Sequence, residues 1–238
     1  MKKIIQISIT SFYLLVSISA FAYPISFNFT GDVTLVDPDP DSPSGFTAEF
    51  NNTFNTSQKL NGYLTFDSNT PDTNTNIGNP DIATYVLTDI GATIGGYTLA
   101  ASLLFTDNNY IQILNATGSN GFFGDLYRPA IIDPVALAIA GVLPGTFDID
   151  LRDTITKTAI TDDSLPLEPP LLSLFNGTSW ELEFEEPNPG NDPEDSDYRH
   201  IVSGTITSLT KVPEPSSLLL IGLGLMGLRG FHRRSVAY

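Results

Sequence analysis

The chain of 238 residues contains no cysteine. That one absence excludes a disulfide framework, a thiolate metal site and a cysteine nucleophile. Basic residues are scarce, 11 against 27 acidic ones, giving a formal net charge of −16. A phosphate backbone needs a basic footprint, so nucleic acid is excluded as a partner. Histidine occurs twice, at His200 and His232, too few for a multi-histidine metal site. The Gly-x-Ser-x-Gly nucleophile elbow is missing, and with it the usual context for a catalytic histidine. His200 therefore reads as a surface residue. Extended 3.6-residue periodicity is also missing. The best helix candidate is short, Pro134 to Ala140.

What is present suits a packed β protein. Hydrophobic residues make up 41% and aromatics 11%, which is enough for a core. Residues 23–211 hold 26 acidic and 6 basic side chains, an acidic body kept soluble by its own repulsion. Ile25, Phe27, Phe29, Gly31, Val33 and Leu35 share one parity, with polar neighbours between them. Period two over this length is a half-buried strand, with Gly31 a candidate bulge. The same alternation runs through Phe46-Ala48-Phe50, Leu60 to Phe66 and Ile82 to Ile90. Gly95-Gly96 reads as a hairpin turn between 92–94 and 97–105. Further strands are expected at Tyr110–Leu114, Thr146–Leu151, Ser179–Glu185 and Ile201–Leu209. Strands at this spacing predict an all-β domain over 23–211, a single antiparallel β-sandwich of jelly-roll type, whose first and last strands could pair. The acidic and proline-rich stretches 37–45, 69–81, 162–170 and 187–197 read as loops.

The two ends differ from the body. Lys2 and Lys3 precede an apolar run from Ile4 to Ala20. Ala20 and Ala22 supply the small residues of a cleavage site, so 1–22 reads as a secretory signal peptide cut after Ala22. At the other end Val212-Pro213-Glu214-Pro215 is followed by two serines, an apolar glycine-broken stretch to Leu228, and Arg229, Arg233 and Arg234. Residues 215–228 would span roughly 21 Å as a helix at about 1.5 Å per residue, against a bilayer core roughly 30 Å thick. Such a short membrane helix suits temporary retention, with its basic end held on the cytoplasmic side.

Residues 212–234 together resemble the PEP-CTERM sorting signal: tripeptide, short apolar helix, basic tail, terminal position. Residues 235–238 extend past it as a tail. The resemblance implies export through the secretion machinery and signal peptidase. It also implies transient anchoring in the inner membrane, processing by an exosortase that recognises Pro213, Glu214 and Pro215, and a final location at the cell surface or outside. Bacteria with this system usually also make exopolysaccharide.

The body offers weaker chemistry. Asp37, Asp39 and Asp41 alternate along one loop, and Asp192, Asp195 and Asp197 crowd another. Either could offer oxygen ligands to calcium, the one cofactor the sequence leaves open, although the EF-hand pattern fails at Ser42 and Ala48. Glu181 and Glu183 face one side of a strand whose other side carries Trp180, Leu182 and Phe184. Two such carboxylates could serve glycoside hydrolysis, but the simpler reading is core on one face and solvated acid on the other. Tyr63, Tyr85, Tyr97, Tyr110 and Tyr127 are candidates to stack on sugars in a lectin-like sandwich. The expectation is an exported, non-enzymatic surface or matrix protein, with carbohydrate binding as the alternative and a secreted hydrolase behind both.

Overall fold

The computed structural model describes residues 23–42, 44–74, 82–101, 109–116, 124–186 and 198–213. The leader, most of the sorting segment and the loop 187–197 lie outside the described residues, as do the two flanking helices expected at the ends.

Among the described residues the chain forms eleven strands and one helix. The strands are β1 Pro24–Asp37, β2 Lys59–Asp67, β3 Ile82–Val86, β4 Asp89–Ile94, β5 Tyr97–Ala100 and β6 Asn109–Leu114. They continue with β7 Asp125–Ile132, β8 Val135–Ala136, β9 Pro144–Asp153, β10 Gly177–Glu186 and β11 Tyr198–Lys211. Helix α1 spans Ser44–Thr53, and a single 3-10 turn covers Leu172–Leu174. All strand pairings are antiparallel, in the order β3-β6-β7-β9-β10-β11-β1-β2-β4-β5-β8.

The expected all-β, antiparallel fold is present: hydrogen bonding runs unbroken through one eleven-stranded sheet, which curls on itself. Contacts between distant strands show the curl. The rings of Tyr97 on β5 and Phe184 on β10 lie 6.0 Å apart, although five steps of the sheet separate those strands. Phe29 on β1 likewise meets Phe147 on β9 at 6.2 Å. The inner face encloses the core, including Phe27, Phe29, Phe66, Phe147, Trp180 and Phe184, all essentially inaccessible.

The alternation of β1 holds as far as Val33 and then inverts. Register shifts fall between Thr30 and Gly31, as expected for a bulge at Gly31, and again between Val33 and Leu35. The second irregularity turns Leu35 outward, 45% exposed, and brings Val36 against the core instead.

Three local readings are corrected. Phe46-Ala48-Phe50 is helical: Phe46, Phe50 and Phe54 are buried one turn apart while Ala48 is exposed. These three rings pack into the cluster containing Phe184 and Tyr97. Residues 134–140 are not helical; Val135–Ala136 is the short edge strand β8, paired with β5. The run 82–90 is two strands broken at Leu87-Thr88: β3 is one edge of the sheet, while β4 lies in the other half between β2 and β5.

His200 is not a surface residue. It is fully buried, its ring centroid 4.1 Å from that of Phe46.

The expected pairing of first and last strands is present. β1 and β11 lie side by side at the middle of the sheet, with Phe27 opposite Lys211. The Val212 N–H continues the ladder, donating to the Ser26 carbonyl at 2.8 Å.

Candidate functional site

Alternation puts one side chain of every two on the outer face of the sheet. One half of that face carries an assembly of arginine–carboxylate pairs, and the other carries a groove with uncharged lining beside the exposed Lys59–Asp32 pair.

The charged half lies on β7, β9, β10 and β11. It gathers all three arginines of residues 23–211, Arg128, Arg152 and Arg199. Arg128 Nη2 donates to Asp148 Oδ2 at 2.7 Å, and Arg152 Nη2 to Asp150 Oδ2 at 2.6 Å. Arg199 Nη2 reaches Glu181 Oε1 and Glu183 Oε2, each at 3.0 Å, and its Nε bonds the second oxygen of Glu183. Strand register sets Glu181 directly opposite Asp148. Burial raises the Asp148 carboxyl above the ordinary value, with Arg128 pulling the other way. Burial also raises Glu181, opposed by Arg199 and assisted by Asp148. Each of the four carboxylates thus has a guanidinium neighbour. The expected Glu181–Glu183 pair shares one, which favours cross-strand charge compensation over an acid and base facing an open cleft.

The second half lies on β1, β2, β4 and β5. It holds a groove of about 450 Å³ whose outward side chains are Asn28, Thr30, Asn61, Tyr63, Thr93 and Thr98. Register arranges them in rows: Asn28, Tyr63, Gly91 and Ala100 form one, Thr30, Asn61, Thr93 and Thr98 the next. Tyr63 is 40% exposed and donates its hydroxyl to Asp89 Oδ2 at 3.0 Å. A Cβ on Gly91 would stand only 3.1–3.3 Å from the Tyr63 ring, so the ring lies over bare backbone.

The other candidate tyrosines are mostly spent on structure. Tyr85 and Tyr97 are buried and donate to the carbonyls of Asp163 and Leu137. Tyr127 is wholly inside, whereas Tyr110 is half-buried.

The acidic loop 37–41 forms a turn. Asp39 Oδ1 accepts the Asp41 N–H at 2.9 Å, and its Oδ2 accepts the Arg199 N–H at 3.4 Å. Among the described residues, no three His, Cys, Asp or Glu side chains gather at one point as metal ligands would. Asp192, Asp195 and Asp197 lie outside the described residues. So do Ala20, Ala22, Glu214, Pro215, Arg229, Arg233 and Arg234. Pro213 is the last described residue, two positions past the end of β11.

Sequence reasoning missed the arginine assembly and the groove. The parity shared by Asp148, Asp150 and Arg152 was a visible sign of the first. The groove depends on strand partners, which no local pattern reveals. Among the described residues, no helix is long and apolar enough to cross a membrane.

Compared with known proteins, residues 211–234 match the family described as the PEP-CTERM protein-sorting motif. No curated protein and no solved structure matches the chain.

Proposed function

We propose that this chain, marked by its PEP-CTERM segment for export and exosortase processing, is a non-enzymatic surface or matrix protein. In this reading it is held at the inner membrane by residues 212–234, cut at or near Pro213-Glu214-Pro215, and passed to the cell surface. There its β domain would serve the organisation of exopolysaccharide or biofilm. The observation that carries the reading is the match at residues 211–234. Two further features agree with it. The ladder between β1 and β11 brings the start of the domain and the approach to the tripeptide together. Asp148, Asp150, Glu181 and Glu183 of the outer face are tied to arginines, which suits a scaffold better than a reaction centre.

Intact mass spectrometry of the protein from its native host, in both membranes and culture fluid, tests the proposal. The expected mature form starts at Tyr23 and ends near Pro215, and Glu214→Ala should leave an uncut form in the membrane. A wild-type C-terminus that stays full length and membrane-bound overturns it.

A further inference from the structure

We infer that the groove on β1, β2, β4 and β5 is a binding site for a neutral glycan, with Tyr63 as its stacking platform. This rests on the reading of the domain as an exported surface protein and supplies the ligand class that reading lacks.

The platform is prepared before any ligand arrives. Tyr63 stands opposite Gly91, where a side chain would press on its ring. The bare glycine gives the ring a backbone surface to lie on, and the bond to Asp89 pins its far end. One ring face is therefore covered and the other is open. A ring already held in place loses little freedom on binding. Apolar C–H faces of a sugar can pack on such a ring while its hydroxyls need donors and acceptors around it. The groove supplies these as two amides, Asn28 and Asn61, and three hydroxyls, Thr30, Thr93 and Thr98. Ala100, the small residue next in the row after Gly91, leaves space beside the ring. The four strands set its width at three strand spacings, roughly 14 Å, enough for a short oligosaccharide.

Charge selects the class. None of the groove's lining residues is charged, although residues 23–211 carry 26 carboxylates. The nearby Asp89 carboxylate is engaged by the Tyr63 hydroxyl. A uronate polymer would approach a strongly negative body, and the cation bordering the groove, Lys59 one row beyond Asn61, is already neutralised by Asp32.

The test is calorimetric titration of the full chain, in a detergent without a sugar headgroup. The probes are short neutral oligosaccharides of glucose, mannose and galactose, and a uronic acid oligosaccharide. At least one neutral probe should bind at millimolar affinity or better, and the uronate should not. Tyr63→Ala should weaken binding by about tenfold or more, and Asn61→Ala by roughly two- to fivefold, with melting temperatures little changed. If no neutral probe binds, if the uronate binds as well, or if Tyr63→Ala leaves affinity intact, the inference is overturned. Processing in the host is scored separately by mass. A protein that is cut but binds no glycan refutes only the groove, and one that binds but is never cut refutes only the sorting reading.

Discussion

His200 shows how much one buried side chain can reveal. Its Nδ1 accepts the Asp39 N–H at 3.0 Å, so the neutral ring carries its proton on Nε2. That Nε2 lies 3.6 Å from Glu186 Oε2, an oxygen that also accepts the Ser42 hydroxyl at 2.7 Å. Phe46 and Phe50 cover the ring. Burial lowers the His200 pKa, with Glu186 and then Asp39 pulling it back up. The unfolded chain therefore takes up the proton first as pH falls. The stability contribution is complete above the unfolded pKa, about 6.5, and is lost as pH falls from there through the folded value. His200 is the only histidine in residues 23–211, so this window is easy to isolate. Urea midpoints should hold steady from pH 8 to 7 and then fall, with a slope of at most about 1.4 kcal/mol per pH unit. His200→Phe should flatten that slope and cost roughly 1–3 kcal/mol at pH 8, because the Asp39 N–H loses its acceptor. An unchanged slope would clear His200. Its burial was legible in principle. His200, Val202, Gly204 and Ile206 share a parity, and Val202 and Ile206 are core residues.

At the scale of the element, Trp180 organises the junction of β10, β11 and β1. Its indole is wholly buried and donates from Nε1 to the Asp32 carbonyl at 3.2 Å. Space for it comes from two glycines. A Cβ on Gly204 would meet the Asp32 carbonyl oxygen at 1.8 Å and Trp180 Nε1 at 2.7 Å. On Gly31 it would meet the Thr205 carbonyl at 2.6 Å. Backbone held on both sides cannot step aside, so Gly204→Ala should cost about 3 kcal/mol or more, read as a lower denaturation midpoint. An exposed change on the same strand, Thr205→Ala, should stay within about 0.5 kcal/mol. The inward face of β10 was plain from its alternation, and all three apolar residues are indeed buried. Helix α1 was not, because Phe46 and Phe50 satisfy period two and period four alike. Asn52 settles the ambiguity, since a polar, exposed residue there breaks a two-residue row while Phe54 continues the four-residue one past the helix. β7 carries no strand signal in the sequence, because it is buried along most of its length and shows no alternation.

For the whole molecule, strand existence was far easier to read than sheet architecture. A sandwich and a curled sheet present the same inward and outward alternation along each strand. They differ only in which edges pair, and pairing depends on residues far apart in sequence. β11 is the decisive case. It joins the half of the sheet built by β3, β6, β7, β9 and β10 to the half built by β1, β2, β4, β5 and β8. A chain stopped before Tyr198 should therefore show no cooperative unfolding transition, whereas loss of the residues beyond Pro213 should leave the transition intact. Circular dichroism on both truncations checks this. The position of β11 also fixes when the fold can form. A chain that emerges N-terminus first must wait for its final strand before the two halves can meet, and the Phe27–Lys211 pairing spans nearly the full domain. Such long-range closure is slow, and until it occurs the edges of β1 and β10 stand unpaired. A tail that stays behind in the membrane would keep each late-arriving β11 beside its own β1 and apart from those of neighbouring chains. The anchor would then be a folding aid as well as an address, and its removal before closure would release a chain prone to pair with its neighbours.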